Sequence, residues 1–390
     1  MKIIQVTNFY RSGFGGEVSV FNFLVNLLSK NGHSVERYVK DSNTITSSFD
    51  KANAFFSSIY SIQQKKAFHK HLVDLQPDIV HVHNLYPLLS PSILEACKQE
   101  QIPVVMHLHN YSLTCPIGLH YVHAESCDRC LGGREYWGVL RNCTGSFIKS
   151  VNYSLRNAVA RKFSLFLNNV DIFIAISNFA KGRFIDAGIS ENNIEVLPNA
   201  VEIPHKAHST QRREFVGFAG RLEEFKGIET VIEAAKRLPH VSFHVAGDGP
   251  LLQQSKAAAP ANMIFHGRLS SDEMQDFLSR CRFLLFLTRV FEGPTMIILE
   301  SMIHGIPVIA SKMGPMEEVI EDAHTGFLCD TTDIDLFVDK IKLLWNDDNL
   351  CKIMGEKART KVQQEYNEQV YYSRLMSIYQ KAIKHVSQSA

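Results

Sequence analysis

Apolar residues along this chain fall into short, nearly continuous runs. Lys2–Thr7 is the first, and Ile79–Val82, Val104–Leu108 and Ile172–Ile176 follow. Short apolar runs bounded by turn residues predict strands buried on both faces, as in a parallel sheet. Between the runs the spacing becomes helical. Val18, Phe21, Leu24, Leu27 and Leu28 share one helical face, and Gly32 closes that helix. Pro77-Asp78 and Pro103 punctuate two strand entries.

A second series begins near Phe215. Val216–Ala219 predicts a strand, then comes Gly220-Arg221-Leu222 and a helix over about 228–238. Val241–Ala246 predicts another strand, ending in Gly247-Asp248-Gly249-Pro250. Phe283–Leu287 and Pro307–Ala310 predict two more, the latter after a helix that starts near Thr295. Such alternation twice over predicts an α/β protein of two doubly wound Rossmann-like domains. The 390 residues fit that number. Residues 198–213, with Pro198, Pro204 and several polar residues, read as the hinge.

Composition narrows the function. Apolar residues are 45% and charged residues 21%, an ordinary globular balance. Lys plus Arg is 41 and Asp plus Glu is 40, which excludes a generally basic nucleic-acid binder. The charge is uneven, however. Residues 1–203 carry 19 basic and 16 acidic residues, and the remainder carries 22 and 24. Between Arg129 and Arg183 there are nine basic residues and two acidic ones. This is either a solvated helical face or a surface for phosphate-bearing or membrane-borne partners. The opening residues lack the apolar core of a signal peptide, and no run reaches the about 18 apolar residues of a span. The expected location is cytoplasmic, with peripheral contact at the inner face of the plasma membrane as the further expectation.

The most informative stretch is Phe291-Glu292-Gly293-Pro294-Thr295-Met296 through Glu300. A strand leads into it and a helix leaves it, with Thr295 as candidate N-cap. The first amides of a helix have no intrahelical partner and carry positive dipole charge, so they suit a phosphate. Glu292 and Glu300 can face one cleft, where carboxylates accept hydrogen bonds from vicinal hydroxyls. An exposed pair is the plainer reading of two glutamates alone. Gly220-Arg221-Leu222-Glu223-Glu224-Phe225-Lys226-Gly227 adds two cations on a loop after a strand. Arg221 and Lys226 can neutralise one leaving diphosphate without a metal, or they can simply balance Glu223 and Glu224. Gly247 and Asp248 form a tight turn at the same sheet edge.

Taken in order across about 160 residues, these motifs resemble the donor-binding domain of the retaining glycosyltransferases of family 4. Ile306-Pro307-Val308-Ile309-Ala310-Ser311 and Glu317-Glu318 before Gly326-Phe327 extend the match. The resemblance implies the GT-B fold, two Rossmann-like domains facing a central cleft. It implies that Arg221 and Lys226 hold the nucleotide diphosphate, Glu292 contacts the donor sugar and Glu300 the ribose. It also assigns the phosphate-binding turns to Gly220, Gly247, Asp248, Gly293, Thr295 and Met296. Pro294 stands where many members have an amide-bearing residue.

The first half resembles the family's acceptor domain. Gly15-Gly16 matches its glycine loop. Met106-His107-Leu108-His109-Asn110-Tyr111 matches a segment whose histidine, here His109, lies near the donor sugar. His81, His83 and His107 cluster beside it. Strand alternation puts 107 and 109 on one face, which suits buried hydrogen-bonded rings or a metal site.

Cys115, Cys127, Cys130 and Cys143 include a C-x-x-C spacing and can enclose a structural zinc. A redox pair, a disulfide and four unrelated thiols are the competing readings. Cys97, Cys281, Cys329 and Cys351 read as core or surface thiols.

The sequence therefore reads as a cytoplasmic hexosyltransferase, metal-independent in catalysis, with no catalytic cofactor. Its donor is a nucleotide-diphosphate sugar, UDP favoured over GDP by the resemblance. Its acceptor is a sugar or a polyprenyl-diphosphate-linked oligosaccharide in surface-polysaccharide synthesis, lipopolysaccharide included. Residues 1–203 form the acceptor domain, 204–367 the nucleotide-sugar domain, and 368–390 a helix crossing back to the first. A nucleotide-sugar epimerase on the same fold and a non-catalytic sugar-nucleotide-binding subunit are the rivals.

Overall fold

The structure is a computed structural model and describes residues 1–9, 16–203, 214–330 and 332–389. Gly15 and most of the expected hinge lie outside the described residues. The chain divides into two units. One comprises Met1–Val122, Cys127–Pro198 and Tyr371–Ala390; the other comprises His123–Ser126 and Asn199–Val370.

The sheet of the first unit has strands β1 Lys2–Phe9, β2 Ser34–Asp41, β3 Ile79–Val82, β4 Val104–Leu108, β5 Ile172–Ala175 and β6 Ile194–Val196. Their order is β2-β1-β3-β4-β5-β6, and all neighbours are parallel. The second unit has β7 Phe215–Ala219, β8 Phe243–Ala246, β9 Met263–Gly267, β10 Cys281–Phe286, β11 Val308–Ser311 and β12 Gly326–Cys329. Their order is β9-β8-β7-β10-β11-β12, again parallel throughout. Both sheets are doubly wound. The winding reverses between β1 and β3 in the first and between β7 and β10 in the second. Ligands of such sheets bind outside the strand carboxyl ends at those points.

Alternation along β7 explains the second core. Val216 and Phe218 join one buried cluster, with Val245 and Leu285. Phe215 and Ala219 join the cluster on the other face, with Leu284 and Ile298. Helices cover both faces, so the strands must be apolar on both.

Every strand expected from the apolar runs is present. Of the twelve strands in these two sheets, the four not expected, β2, β6, β9 and β12, are the four edges; a short separate pair, Tyr121–Val122 with Glu125–Ser126, is not expected either. An edge strand has one neighbour and a solvated side, so its sequence need not be uniformly apolar. β9, Met-Ile-Phe-His-Gly, alternates between exposed positions and buried or half-buried ones, and β2 is exposed or half-buried throughout.

The last helix, Glu368–Ser389, counts with the first unit from Tyr371 onward. Tyr379 is fully buried there, and Lys381 Nζ meets Glu195 Oε1 at 2.5 Å. Among the described residues no helix is long and apolar enough to cross a membrane.

Candidate functional site

In the second unit the candidate side chains Arg221, Lys226 and Glu292 stand on loops leaving the carboxyl ends of β7 and β10. The β7 loop runs from Gly220 to Gly227, where the helix Ile228–Arg237 begins. Gly227 has φ +70°, and a Cβ there would sit 2.7 Å from Leu287 O. Glycine thus permits the loop to lie directly on the end of β10. Arg289 N–H donates to Phe225 O at 2.8 Å and ties the two loops together.

That packing brings Lys226 to Glu292. Lys226 Nζ donates to Glu292 Oε1 at 2.5 Å and to Oε2 at 2.6 Å. The side chains are 16% and 23% exposed, so the pair is partly shielded from water but reachable. Nζ also lies 5.4 Å from the Phe286 ring centroid. Arg221 is 68% exposed and pairs with Glu223 at 2.5 Å. Arg221 thus balances Glu223 on its own loop, whereas Lys226 reaches across to the second loop.

Gly247, at the end of β8, has φ +144°, and a Cβ there would stand 1.9 Å from Gly220 O. The Gly247–Pro250 turn therefore packs backbone to backbone on the Arg221 loop. Leu222 N–H donates to Asp248 O at 3.0 Å and fixes that packing. The side chain of Asp248 is used locally, since its Oδ1 accepts from Gly249 N–H at 2.7 Å.

Thr295 does precede the helix Met296–Ile303, with extended backbone, but its side chain makes no capping hydrogen bond. Its Oγ1 is buried with no partner among the described residues. The start of the helix is held differently: Asn199 Nδ2 donates to Pro294 O at 2.7 Å. This role for Asn199 went unnoticed in the sequence. Glu300 lies within the helix, half-buried, and burial raises its carboxyl above the usual range.

In the first unit, one face of the sheet carries Gln5, His81, His83, His107 and His109. Register places Gln5 beside His81, and His81 beside Val105. The rings form a column: His81–His83 centroids are 4.6 Å apart at 8°, and His107–His109 are 4.2 Å apart at 13°. His109 Nε2 lies 2.8 Å from His83 Nδ1, and His83 Nε2 lies 2.8 Å from Gln5 Oε1. Gln5 Nε2 donates to Tyr379 Oη at 3.3 Å, and that hydroxyl lies 2.8 Å from His81 Nδ1. With the Gln5 oxygen facing His83, the proton of His83 is on Nε2. Its Nδ1 then accepts from His109 Nε2–H, which leaves His109 Nδ1 as an acceptor.

Ligand atoms of His81, His83 and His107 lie within 4.8 Å of one another. The stacking nevertheless argues against a metal. A ring nitrogen's lone pair lies in the ring plane, and an ion about 2 Å away cannot be near two stacked parallel planes at once. Both nitrogens of His83 are also engaged. Hydrogen-bonded rings are the better reading for His81 and His83, although His107 has neither nitrogen partnered among the described residues.

Burial lowers all four imidazoles, His109 to about 3. They are neutral at pH 7. A folded value below the ordinary 6.5 means that the unfolded chain binds more protons between the two. Stability is therefore complete above about pH 6.5 and is lost as pH falls towards the folded values, by up to about 1.4 kcal/mol per pH unit for each ring. Melting temperature should be flat above about pH 7 and fall steeply below 6; a profile level down to pH 4 would contradict buried neutral rings.

A cavity at the ends of β3 and β4 is lined by His83, Asn84, Tyr86, His109, Asn110 and Ser112. Glu17, in the first turn of the helix Gly16–Lys30, hydrogen-bonds Asn84. Burial outweighs that contact and raises its carboxyl to about 7. Sequence reading missed Glu17, Gln5 and Tyr379. The signal was there for Gln5: a polar residue amid a fully buried run. Gly16 opens the helix, with free space around it.

The four clustered cysteines all belong to the first unit and are free thiols. Burial and the neighbouring sulfurs of Cys115, Cys143 and Cys127 push the Cys130 thiol up to about 12. The sulfurs are near enough to feel one another. Cys97, Cys281, Cys329 and Cys351 are buried thiols, as expected of core positions.

Two family models match the chain, glycosyltransferase family 4 over residues 14–204 and glycosyl transferases group 1 over residues 201–361. An uncharacterized glycosyltransferase of Methanocaldococcus jannaschii is 26% identical over 262 residues, 62% of this chain and 72% of that one. The poly(ribitol-phosphate) alpha-N-acetylglucosaminyltransferase of Staphylococcus aureus is 26% identical over 249 residues, 60% of this chain; the match spans only 47% of that protein's length. The structure of Anabaena HepE in complex with UDP and glucose superposes with TM-score 0.68 at 16% identity, over 97% of this chain and 98% of that one. Each half of the chain is thus matched by a model of the same class of enzyme, and the paired parallel sheets have the architecture of such solved structures: the chain belongs to glycosyltransferase family 4 and has the GT-B fold.

Proposed function

We propose that this glycosyltransferase moves a hexosyl group, with retention, from a nucleotide-diphosphate sugar to a hydroxyl of a sugar or a polyprenyl-diphosphate-linked oligosaccharide, and that the donor is a UDP sugar. The observation that carries the reading is the Lys226–Glu292 contact at the reversal of the second sheet. A cation and a carboxylate held together there are the two groups a sugar diphosphate needs. The diphosphate competes for Lys226, and Glu292 turns to the sugar hydroxyls. Arg221, on the same loop and exposed, folds in on the phosphates. Glu300 takes the ribose, and the amides at Thr295 and Met296 support the diphosphate. His109, held neutral, offers a hydrogen-bond acceptor to a sugar hydroxyl, in the unit we assign to the acceptor. Negative charge developing on the leaving group is met by the two cations, so the reaction needs no metal. HepE, solved with UDP and glucose, supports the uridine donor.

A thermal-shift comparison of UDP, GDP and ADP tests the donor. A ligand that binds only the folded chain raises its melting temperature by mass action. UDP should give the largest rise; GDP ahead of UDP would transfer the reading to GDP sugars, and no rise with any nucleotide would sink it.

We further propose that Cys115, Cys127, Cys130 and Cys143 hold one structural zinc. Gly138 N–H already hydrogen-bonds the Cys130 sulfur. A bound cation would turn the crowding that raises these thiols into attraction between thiolates and metal. Protein purified without chelator should contain one zinc per chain, and a chelator should lower its melting temperature. A metal-free, fully folded chain rules the site out.

A further inference from the structure

The helix Phe147–Lys162 is built inside out. The residues it buries are Ser150, Asn152, Ser154, Arg156, Asn157 and Ala160. To solvent it presents Phe147 (65% exposed), Ile148 (70%) and Leu155 (43%), with Phe163 (61%) just past its end. It cannot simply roll over, because the inward polar groups are bonded. Asn152 Nδ2 donates to Phe55 O at 2.8 Å, Asn157 Nδ2 to Ser112 O at 2.7 Å, and Arg156 to Pro116 O at 3.2 Å. The helix Ser48–Ile59, joined to it through Asn152, turns Phe49 (79%) and Phe56 (67%) outward as well. The helix Tyr136–Leu140 packs on the same element and exposes both of its end residues.

Charge runs with this apolar face. Residues 48–66 and 129–167 together hold ten Lys and Arg, of which Arg156 is buried and Lys65 pairs with Glu95, but only Asp50 and Glu135 of opposite sign. Both acids are engaged, Asp50 in the cap with Ser47 and Glu135 with Arg161 at 2.6 Å. We infer that this face of the first unit seats on an anionic lipid surface. Phenylalanine and isoleucine enter the boundary between headgroups and acyl chains, while Lys51, Lys149 and Lys162 stay at the level of the phosphates. A second copy of the chain is a poor occupant, since it would set the same positive charge against itself. The inference does not depend on the donor chemistry: vesicle binding and nucleotide binding are measured separately, and either can fail alone.

Co-sedimentation of the full chain with vesicles tests it. Phosphatidylglycerol-containing vesicles should retain the protein roughly tenfold or more better than pure phosphatidylcholine, and raising salt from about 0.1 M to about 0.5 M should release it. The Phe56→Ser, Phe147→Ser, Ile148→Ser variant should lose roughly tenfold in binding at unchanged melting temperature, because these side chains are exposed. A Lys51→Glu, Lys149→Glu variant should lose the preference for anionic lipid. Failure of the parent to bind anionic vesicles, or equal binding by parent and variants, overturns the proposal. So does a dimer in sedimentation equilibrium that the serine variant dissolves while no chain binds lipid, which would give the face to a second copy.

Discussion

Replacing Lys226 by alanine is expected to lower the rate of sugar transfer about 100- to 1,000-fold while leaving the chain folded. The loss follows from where the ammonium stands. It is the cation held at the reversal point of the second sheet, and removing one preorganised stabiliser of developing negative charge typically costs that much. The fold should survive, because Lys226 forms no part of either core and Glu292, left alone, remains 23% exposed and can hydrate. Arg221→Ala should also cut transfer by orders of magnitude, with still less effect on stability, since its pairing with Glu223 is a surface ion pair. Lys226→Arg separates charge from shape: partial activity is expected if charge dominates. Steady-state kinetics beside thermal melts decides the matter, and near-normal turnover in both alanine variants would refute the assigned roles.

Gly247→Ala should damage the second unit more than any loop substitution of its size. The new methyl carbon would stand 1.9 Å from Gly220 O at a backbone angle that disfavours any side chain. Overpacking and strain together cost roughly 3–5 kcal/mol. Melting temperature should fall by roughly 10 °C, and UDP should no longer stabilise the protein, because Gly220 leads directly into the Arg221 loop. Gly182→Ala is the control. That glycine lies within the helix Asn178–Asp186 with open space around it, and alanine there should be neutral or stabilising by up to about 1 kcal/mol. If Gly247→Ala melts with its parent and still responds to UDP, the close approach of the two turns is not what shapes the site.

The sequence made the centre of each sheet legible and left its margins unread. Strands between two neighbours and two helical layers must be apolar at nearly every position, so β3, β4, β7 and β10 announce themselves. The edges β2, β6, β9 and β12 carry no such demand. The same contrast governs the sites. Gly220 and Gly247 stand out in the sequence because the close backbone approach between their turns restricts residue type. That Lys226 would meet Glu292, 66 positions away, depends on the register of β7 against β10 and on Gly227 lying on Leu287. The pairing of Gln5 with Tyr379 spans 374 positions, which no local pattern encodes. Thr295 shows the opposite failure. Its type and place fit an N-cap, yet its hydroxyl makes no hydrogen bond to the helix amides.

The most direct test of the central claim needs no acceptor. The purified chain is incubated with α-linked UDP hexoses, and the slow transfer of sugar to water is followed by proton nuclear magnetic resonance. Retention predicts release of UDP together with a free sugar whose α-anomer signal appears first and then equilibrates to β. The β-anomer appearing first would contradict retention, and no release of nucleotide from any UDP or GDP hexose would contradict the assignment of Lys226, Arg221 and Glu292 to a sugar-nucleotide site.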